Sequence, residues 1–574
     1  MFDLLFLDKY TKDIREYLVN ARVDKIYQRE NLELTLVLRK PGETLNLRID
    51  CNAENHHFRI TNKILENPNT PPSFCMLLRK YLSGSKIKDI EMVKGERIIN
   101  IIFQGRHPEG YVACWVLSIE LMGKHSNIIF YDQEEKIVLG VLKATSSETR
   151  ELKVGHLYQQ PPKQVKIPRE NLNYKNLLLH SLGDEKLPID KIMVKYFPLA
   201  SPILVKEFIY KYQIPNLFLK ELEEQQVEEL IELYYNFIDN LNYEPIMYYQ
   251  KDEPWDFYCT TLESLTKKYQ IKRYPDYITL VRDFYDYKED KLKLEKNKTL
   301  LIKTITKHQK KLNKKLGLLI NELNQYQNFH KYKEIGDLLM ANLHQIKKGM
   351  AEITLFNYYT SEEERIKLDP SLSPIANCQN YYKKHSKGKR GLEIVKENIE
   401  NVQGEIAYLD SLLHFISEAD NSNTLQEIEQ ELIKENYLKP KIKPIKKDRN
   451  LTQSLPLEFT SKDGFKILVG KNNKQNDLLT LKIAKKGDLW LHTKDLPGSH
   501  VIVKNGTKAP ETTIIEAANL AAYFSKAKHS SKVAVDYTDV KNVFKPKGAK
   551  PGMVNYVDFK TIYITPSFNN NLMS

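Results

Sequence analysis

Short stretches of alternating apolar and polar residues dominate the first part of the chain, with turn-forming residues between them. These stretches are VDKIYQ (23–28), ELTLVLR (33–39), TLNLRID (44–50), RIINIIF (97–103) and VACWVLSIEL (112–121). Alternation of this kind, rich in β-branched and aromatic side chains, predicts β-strands. A helical pattern, SFCMLLRKYLSG (73–84), interrupts them and ends on a glycine suited to a helix C-cap. We therefore expect a strand-rich domain over 1–165, closed by the turn-forming YQQPPKQ (158–164).

The pattern changes twice in the middle of the chain. Residues 166–284 have short apolar periods broken by prolines, which predict short, irregular helices. Beyond them, two stripes of apolar residues recur at the spacing of one helix face. The first stripe is Leu294, Leu301, Ile305, Leu312, Leu316, Leu319 and Leu323, and the second is Val395, Ile399, Val402, Ile406, Leu409, Leu413 and Ile416.

An a/d stripe held over three heptads calls for a partner helix. We expect the two stripes to pair as a long antiparallel coiled-coil arm over 285–435, with a small middle module at about 325–378. An intermolecular coiled coil is the alternative. The lysine-rich, proline-spaced KPKIKPIKKDRN (439–450) then predicts an extended basic linker over 436–455.

The last part of the chain, 456–574, alternates again and predicts a compact α+β domain. The predicted strands are FKILVG (465–470), LTLKIA (479–484), HVIVKN (500–505), KVAVDY (532–537) and TIYITP (561–566). ETTIIEAANLAAYFSKAK (511–528) has the spacing of an amphipathic helix. The predicted fold class of the whole chain is therefore α+β multidomain.

Composition narrows the choice of partner. The 574 residues carry a formal net charge of +13, which favours a polyanion because each cation that meets a phosphate releases a counterion. A solvated basic surface is the alternative. Five scattered cysteines without a C-x-x-C pair argue against a zinc site or a disulfide framework. The N-terminus lacks a signal-peptide pattern, and no apolar run approaches the ~20 residues that span a bilayer. We expect a cytoplasmic protein without membrane contact and without a cofactor.

Lysines concentrate on the first of the two heptad segments. Ten of them lie between Lys291 and Lys315, and Glu295 is the only acid in that window. Like charges one helical turn apart are destabilising, so this face favours an anionic surface alongside, with a solvated face as the alternative. The candidate RNA contacts of this segment are Lys307, Lys310, Lys311 and Lys314.

A proline-punctuated stretch, LDPSLSPIANCQNYYKKHSKGKR (368–390), is predicted to form a loop at the tip of the arm. It places Tyr381 and Tyr382 beside Lys383 and Lys384. Aromatic rings can stack on unpaired bases while lysines neutralise phosphates, so these four residues are candidate RNA contacts.

The densest cluster of possible ligands is DLWLHTKDLPGSH (488–500). In a strand, Asp488, Trp490 and His492 share one face, which we expect to point outward over two buried leucines. His500 follows a Pro-Gly turn and can fold back towards His492, so a site of two histidines and one carboxylate is geometrically possible. The favoured interpretation is a polar face that contacts backbone or RNA. Its candidate contacts are Trp490, His492, Lys494, Asp495, Ser499 and His500.

Three sets of motifs, in order along the chain, resemble one known family. The first set is PPSFCMLLRKYL (71–82), GERI (95–98) and ELMGKHSNIIF (120–130). The second is GDLLMANLHQIKKG (336–349) and LDPSLSPIANCQNYYKKHSK (368–387). The third is DGFKILVGKNNKQND (463–477), HTKDLPGSHVIV (492–503) and GAKPGMVNY (548–556). Over essentially its whole length, the chain resembles the NEMF family, and most closely its bacterial members, also described as fibronectin-binding proteins.

The resemblance implies an NFACT-N domain (1–165), a helix-hairpin-helix and helical region (166–284), the coiled-coil arm and an NFACT-R domain (456–574). Family members act in ribosome-associated quality control. They bind large ribosomal subunits obstructed by peptidyl-tRNA, contact 23S rRNA and hold tRNA. In bacteria they support untemplated alanine tailing of the nascent chain, which implies tRNA-Ala and a small RNA-binding cofactor as partners. The implied protein is an RNA-binding scaffold without an active site of its own.

Carried over residue by residue, the family's tRNA-selecting motif falls on Glu96-Arg97 and Glu120-Leu121-Met122. The family usually has Asp-Arg at the first pair, so Glu96 is longer by one methylene. An arginine can fork onto a phosphate or a base edge, and carboxylates can accept from exocyclic amines. The alternative for Glu96-Arg97 is an exposed ion pair at a strand start. The predicted supporting contacts are Arg79, Lys80, His125, Ser126 and Asn127.

Two further implications concern the fold and its chemistry. KYFPLASPILVKEF (195–208) resembles the hairpin module but has Leu199 where the family usually has glycine. The N-terminal fold resembles that of formamidopyrimidine-type DNA glycosylases, whose nucleophile is an N-terminal proline amine. This chain begins Met1-Phe2, so we expect no glycosylase activity. The rival functions are a fibronectin-binding surface adhesin and a metal-dependent nucleic-acid enzyme centred on His492 and His500.

Overall fold

Two compact units make up the chain, Met1–Lys291 and Leu292–Ser574. The computed structural model describes residues 2–29, 32–63, 68, 70–147, 150–162, 165–184, 186–440 and 454–567. The architecture is mixed α/β and multidomain, as predicted. Within the described residues, no helix combines the length and the apolar character needed to cross a membrane.

A nine-stranded antiparallel sheet forms the framework of the first unit, in the order β4-β3-β2-β1-β5-β6-β7-β8-β9. Its strands are β1 (Arg22–Arg29), β2 (Glu33–Lys40), β3 (Glu43–Asp50), β4 (His57–Thr61), β5 (Lys86–Met92), β6 (Ile98–Arg106), β7 (Val112–Glu120), β8 (Asn127–Asp132) and β9 (Val138–Val141). Helices α1 (Leu4–Leu18) and α2 (Ser73–Leu82) pack against this sheet. The five predicted strands and the predicted helix are confirmed.

The rest of the first unit is less regular. It contains β10 (Thr145–Ser147), β11 (Arg150–Leu152), α3 (Tyr174–His180), α4 (Ile189–Tyr196), α5 (Pro202–Tyr212), α6 (Glu224–Asp239), β12 (Ile246–Gln250), β13 (Glu253–Tyr258), α7 (Glu263–Thr266) and β14 (Gln270–Arg273). The three-stranded sheet β13-β12-β14 differs from the helical region predicted for 166–284. Its first hairpin turns at Lys251 and Asp252, both in the left-handed region (φ 50° and 64°), so no glycine marks the turn.

Two long helices carry the predicted stripes. They are α8 (Tyr277–Tyr326) and α10 (Pro374–Glu418), and between them lie α9 (Phe329–Ala341), β15 (Glu352–Asn357) and β16 (Glu362–Lys367). The helices run antiparallel, because the Lys298 amine donates to the Ser417 carbonyl (3.3 Å) and the Gln309 amide to Asp410 (2.7 Å). Every residue of both stripes is buried or half-buried. The two stripes therefore pair within one chain.

The predicted loop at 368–390 is wrong for most of its length. Ser373 caps the N-terminus of α10 by accepting from the Ala376 amide, and Pro374 occupies the first helical position, where its missing N–H costs nothing. The second proline of the stretch therefore starts a helix, which places Tyr381 and Tyr382 on α10. After α10 come α11 (Ser422–Lys434) and the predicted basic linker, whose residues 441–453 lie outside the described residues.

The C-terminal part of the second unit is a six-stranded antiparallel sheet in the order β17-β18-β20-β19-β21-β24. Its elements are β17 (Leu457–Thr460), β18 (Lys466–Val469), α12 (Asn473–Leu478), β19 (Leu489–Thr493), β20 (Val501–Val503), α13 (Glu511–Tyr523), β21 (Val533–Asp539), β22 (Val543–Phe544), β23 (Asn555–Tyr556) and β24 (Lys560–Ile564). The strand predicted at 479–484 is wrong. Asn472 caps α12 by accepting from the Gln475 amide, and the helix continues as a π-helical turn, Leu479–Ile483.

Both faces of β19 are covered. Leu489 and Leu491 join the apolar core that includes the alanines of α13. Trp490, on the other face, packs with Leu479 and Ile502 in a second apolar cluster and is only 1% exposed. The outward polar face predicted for Asp488, Trp490 and His492 is therefore wrong, because a second layer of chain lies over it.

Candidate nucleic-acid interface

Two of the predicted motif segments meet at one end of the nine-stranded sheet. Glu96-Arg97 directly precede β6, and Leu121-Met122 directly follow the antiparallel β7, so both lie at the same sheet edge. The Leu121 amide donates to the Arg97 carbonyl (2.9 Å). Gly95 (φ 79°) turns the chain into β6 in a conformation that L side chains rarely adopt. The structure thus brings together the two halves of the predicted motif.

The Arg97 side chain has no ion-pair or hydrogen-bond partner among the described residues. It is half-buried, and within the described part of the chain no acid lies within ion-pair distance of its guanidinium. Burial lowers the pKa of Arg97, while the nearby Asp3 and Glu96 carboxylates act in the opposite direction. A partly desolvated guanidinium without an ion pair is a ready site for an anionic or carbonyl ligand.

Glu96 is buried, with 7% of its surface exposed. The predicted alternative of an exposed ion pair at the strand start does not fit this burial. Glu96 acts here as a fixed negative charge near Arg97. His56 also lies near Arg97. Burial is the main cause that lowers the His56 pKa, and the positive charge of Arg97 lowers it too.

Glu120 is held by buried hydrogen bonds within the domain. Its carboxylate is fully buried and accepts two hydrogen bonds from Arg150 (2.8 and 2.5 Å) and one from the Tyr158 hydroxyl (3.0 Å). Leu121 is buried in the main core, and only Met122 is half-exposed. The second half of the motif therefore fixes the strand end, while Met122 is its accessible side chain.

The predicted supporting residues divide in the same way. Ser126 and Asn127 are buried and hold the backbone: Ser126 accepts from the Met122 amide (2.9 Å), and Asn127 bonds both backbone groups of Lys143. The Arg79 side chain donates to the Ile26 carbonyl (2.8 Å). Lys80 and His125 are exposed. No contact within the described residues joins Arg79 or Lys80 to Arg97.

Asp3 was missed by the sequence analysis. Its carboxylate caps α1 by accepting from the Phe6 amide (2.9 Å), and also accepts from Ser201 (2.6 Å) and Tyr258 (2.7 Å). Ser201 is the N-cap of α5, so Asp3 joins the start of the chain to the predicted hairpin module. An aspartate just before an amphipathic stretch is the signal that reveals a helix cap.

The hairpin between α4 and α5 keeps its turn without glycine. Leu199 has φ 57°, the left-handed conformation that the family's usual glycine would adopt freely. Lys166 donates to the carbonyls of Val194 and Ala200, and burial lowers its pKa to about 8. The turn geometry is thus present, at a conformational cost borne by Leu199.

In the second unit, the predicted lysines of α8 are accessible. Lys307, Lys310, Lys311 and Lys314 are all exposed. The two tyrosines of α10 that were predicted to contact RNA are held by hydrogen bonds within the protein. Tyr381 is 8% exposed and donates to the Lys367 carbonyl (2.6 Å), and Tyr382 donates to Asp337 (2.7 Å).

Lys383 and Lys384 are exposed beside these two tyrosines. The Lys384 ammonium lies 4.8 Å from the centroid of the Tyr381 ring. At this end of the arm, the lysines rather than the tyrosine rings are therefore exposed.

The histidines of the C-terminal cluster do come together. The ring centroids of His492 and His500 are 5.3 Å apart, and His500 Nδ1 lies 2.7 Å from Thr480 Oγ1. Burial lowers the pKa of His492 to about 4 and that of His500 well below its ordinary value. Within the described residues, no group of three or more His, Cys, Asp or Glu side chains could hold a metal ion.

The other polar residues of the cluster are either buried in hydrogen bonds or exposed. Asp488 is buried and accepts from the Lys485 and Asn505 amides (both 2.8 Å) and from Lys504. The buried Ser499 hydroxyl donates to the Gly470 carbonyl (2.5 Å). Lys494 and Asp495 are exposed. Most of the cluster builds the fold, and only its central turn is accessible.

Comparison with known proteins agrees with these motifs. Residues 3–450 match the family model for the NFACT N-terminal and middle domains, and residues 456–558 match that for the NFACT protein RNA binding domain. The chain is 34% identical to the Rqc2 homolog RqcH of Bacillus subtilis (strain 168), over 98% of each protein. This chain belongs to the RqcH family.

Other relatives support the same assignment. The Rqc2 homolog RqcH of Streptococcus suis (strain 05ZYH33) is 31% identical, over 99% of this chain and 98% of that protein. The RqcH family consists of ribosome quality-control factors with a C-terminal RNA-binding domain, which confirms the resemblance inferred from the motifs.

One similar solved structure is that of a protein described as binding fibronectin and fibrinogen. The C-terminal part of the fibronectin/fibrinogen-binding protein from Streptococcus suis is 34% identical, over 48% of this chain and 96% of that one. Its TM-score against this chain is 0.39.

Proposed function

We propose that this protein binds large ribosomal subunits obstructed by peptidyl-tRNA and recruits tRNA-Ala for untemplated tailing of the stalled nascent chain. The alanine tail marks the chain for degradation. The ribosome supplies the peptidyl-transfer chemistry, and this protein lowers the entropic cost of placing the tRNA. Its further partners are 23S rRNA and a small RNA-binding cofactor, in the cytoplasm.

The observation that carries the proposal is the state of Arg97. A folded protein rarely leaves a half-buried guanidinium without an ion pair, because the desolvation is uncompensated. A phosphate or a guanine edge would supply the missing acceptors through the planar fork of the side chain. Membership of a ribosome quality-control family supports tRNA as the RNA proposed for this place.

The lysines of α8 support a second RNA contact. Four exposed lysines within about two helical turns, Lys307 to Lys314, present a dense positive surface. Binding through such a surface depends steeply on salt, because the released counterions drive it. This surface is suited to ribosomal RNA, whose backbone needs no base-specific reading.

The test is the RNA that co-purifies with the protein. Wild type should retain one tRNA, tRNA-Ala, together with 23S rRNA, and sequencing of the bound RNA would identify both. The double variant Glu96→Ala/Arg97→Ala should lose most of the tRNA and keep the 23S rRNA. A variant with alanine at Lys307, Lys310, Lys311 and Lys314 should lose most of the 23S rRNA and keep the tRNA. Unchanged tRNA recovery and alanine tailing in the Glu96/Arg97 variant would overturn the proposal.

A further inference from the structure

The second unit contains a cavity that the proposed function does not use. Its volume is about 850 Å³, within the range of sites for small organic ligands. Residues 400–411 of α10 form one wall. The turn Asp495–Gly498 and the segment 546–556 form the others. The cavity therefore lies where the segments 492–500 and 546–556 face the long helix α10.

Aromatic rings line the inner end of this cavity. Trp490 lies between His492 (5.7 Å between ring centroids, 22° between planes) and Tyr556 (4.8 Å). Burial keeps His492 and His500 neutral at physiological pH. The buried indole N–H of Trp490 has no hydrogen-bond partner within the described residues, so one donor of this aromatic group is unused. Neutral ring surfaces of this kind stack favourably on flat heterocycles.

A glycine keeps the helical wall of the cavity open. Gly404 lies in the interior of α10, where glycine costs roughly 1 kcal/mol relative to alanine. A Cβ placed there would meet no atom within 4 Å, so close packing does not require glycine at this position. Gly391 on the same helix differs, because its Cβ would lie 2.8 Å from the Tyr326 ring. Gly404 borders empty space that a ligand can fill.

Both acids and a lysine line the cavity. The lining lysine, Lys550, donates to Glu435 (2.6 Å). The acids that line the cavity include the exposed Glu400 and Asp495, which can accept hydrogen bonds from amines. Lys494 and Lys547 are exposed and are chain neighbours of lining residues. A base amine would thus meet acceptors inside the cavity, while flanking phosphates would meet lysines at its edge.

We infer that this cavity binds one unstacked, amine-bearing nucleobase, such as adenine, and that the base belongs to a single-stranded segment of RNA. The half-buried Tyr556 ring, which packs against the buried Trp490, supplies the stacking surface. Asp495 and Glu400 accept from the exocyclic amine. Lys494 and Lys547 contact the adjoining phosphates. The inference rests on the proposed function only for the source of the base.

Calorimetric titration of the full-length protein with adenosine tests the cavity. Wild type should bind adenosine saturably at one site and uridine several-fold more weakly, because uridine lacks the amine. Gly404→Leu fills the open space and should weaken adenosine at least tenfold. Gly317→Leu is the matched control, since Gly317 is also helical with open space around its Cβ, and it should bind as wild type does.

Two results would overturn the assignment of the cavity. One is the absence of saturable adenosine binding to wild type. The other is equal affinity of wild type and Gly404→Leu, with both proteins showing the same thermal unfolding midpoint.

A five-nucleotide adenylate RNA, compared with adenosine and adenosine monophosphate, identifies the source of the base. The RNA should bind more tightly than either small ligand, and Lys494→Ala/Lys547→Ala should weaken only the RNA. Tighter binding of free adenosine would overturn the assignment to RNA. Recovery of tRNA with wild type, measured in parallel, separates this result from failure of the proposed function.

Discussion

The sheet edge at Arg97 and the β19 region at His492 both carry family motifs, yet their polar residues are in opposite states. At the sheet edge, the Arg97 guanidinium lacks an ion pair within the described residues. In the β19 region, Asp488 and Ser499 have hydrogen-bond partners, and the imidazoles of His492 and His500 are held neutral. The first region contains a charge without an ion pair among the described residues, whereas the second uses most of its polar groups to hold the fold.

The difference shows that a motif residue's burial and partners decide its role. Glu120 belongs to the same sequence motif as Met122, but its carboxylate is buried against Arg150. Asp495 belongs to the same motif as Ser499, but it is exposed at the cavity. Each motif therefore mixes residues that build the fold with residues whose side chains remain accessible.

The largest expected effect separates Glu120 from Arg97 by stability. Glu120→Ala leaves the Arg150 guanidinium without its buried partner and should cost about 3–5 kcal/mol of unfolding free energy. Glu120→Gln keeps hydrogen-bonding atoms in place and should cost less. Arg97→Ala breaks no ion pair within the described residues, so it should change the unfolding free energy by less than about 1 kcal/mol. Urea unfolding of the three variants measures this order, and a Glu120→Ala variant as stable as Arg97→Ala would contradict it.

The second prediction concerns the pH dependence of the β19 region. Burial lowers the pKa of His492 to about 4 and that of His500 well below its ordinary value. The unfolded chain, with histidine pKa values near 6.5, therefore binds more protons below that pH. The associated stability is complete above about pH 6.5 and is lost as the pH falls, by about 1.4 kcal/mol for each unit of pKa shift.

Thermal unfolding at pH 7 and pH 5 measures this loss. His500→Gln should show a smaller drop in Tm than wild type, because one of the two buried imidazoles is gone. His125→Gln, at an exposed position of the first unit, should show the wild-type drop. An identical drop in all three proteins would show that the buried histidines do not determine the acid sensitivity.

The smallest expected effect lies at the hairpin of the first unit. Leu199 adopts φ 57° and is 38% exposed, so Leu199→Gly relieves backbone strain and loses little burial. The left-handed conformation costs an L residue about 1–2 kcal/mol, and glycine's extra freedom in the unfolded chain offsets part of the gain. A net stabilisation of about 0.5–1 kcal/mol should appear in urea unfolding. A destabilisation would show that the packing of the Leu199 side chain contributes more free energy than its left-handed backbone conformation costs.

Sequence periodicity predicted the elements whose pattern reports one buried face. Strand β2 and the two helical stripes are such elements. It failed at β19, where Asp488 and Trp490 look like an outward face because the layer that covers them comes from distant residues, including Leu479 and Val543. It also failed at 479–483, where apolar alternation suggested a strand although the Asn472 cap had already started a helix.

The candidate site was predictable only in part. The motif resemblance indicated Arg97 and Glu120 together, and the structure places both at one sheet edge. Their different roles depend on Arg150, which lies 30 residues further along the chain. Asp3 depends on Ser201 and Tyr258 in the same way. Contacts this distant in sequence leave no periodic signal, so only the folded chain reveals them.

Direct binding of purified tRNA-Ala to the Arg97→Ala variant tests the central claim. Arg106→Ala is the matched control, because Arg106 is exposed at the opposite end of β6, about 30 Å along the strand. Filter binding should show at least a tenfold loss of tRNA affinity for Arg97→Ala and wild-type affinity for Arg106→Ala, with both variants as stable as wild type. Equal affinity of the two variants would contradict the assignment of Arg97 to tRNA.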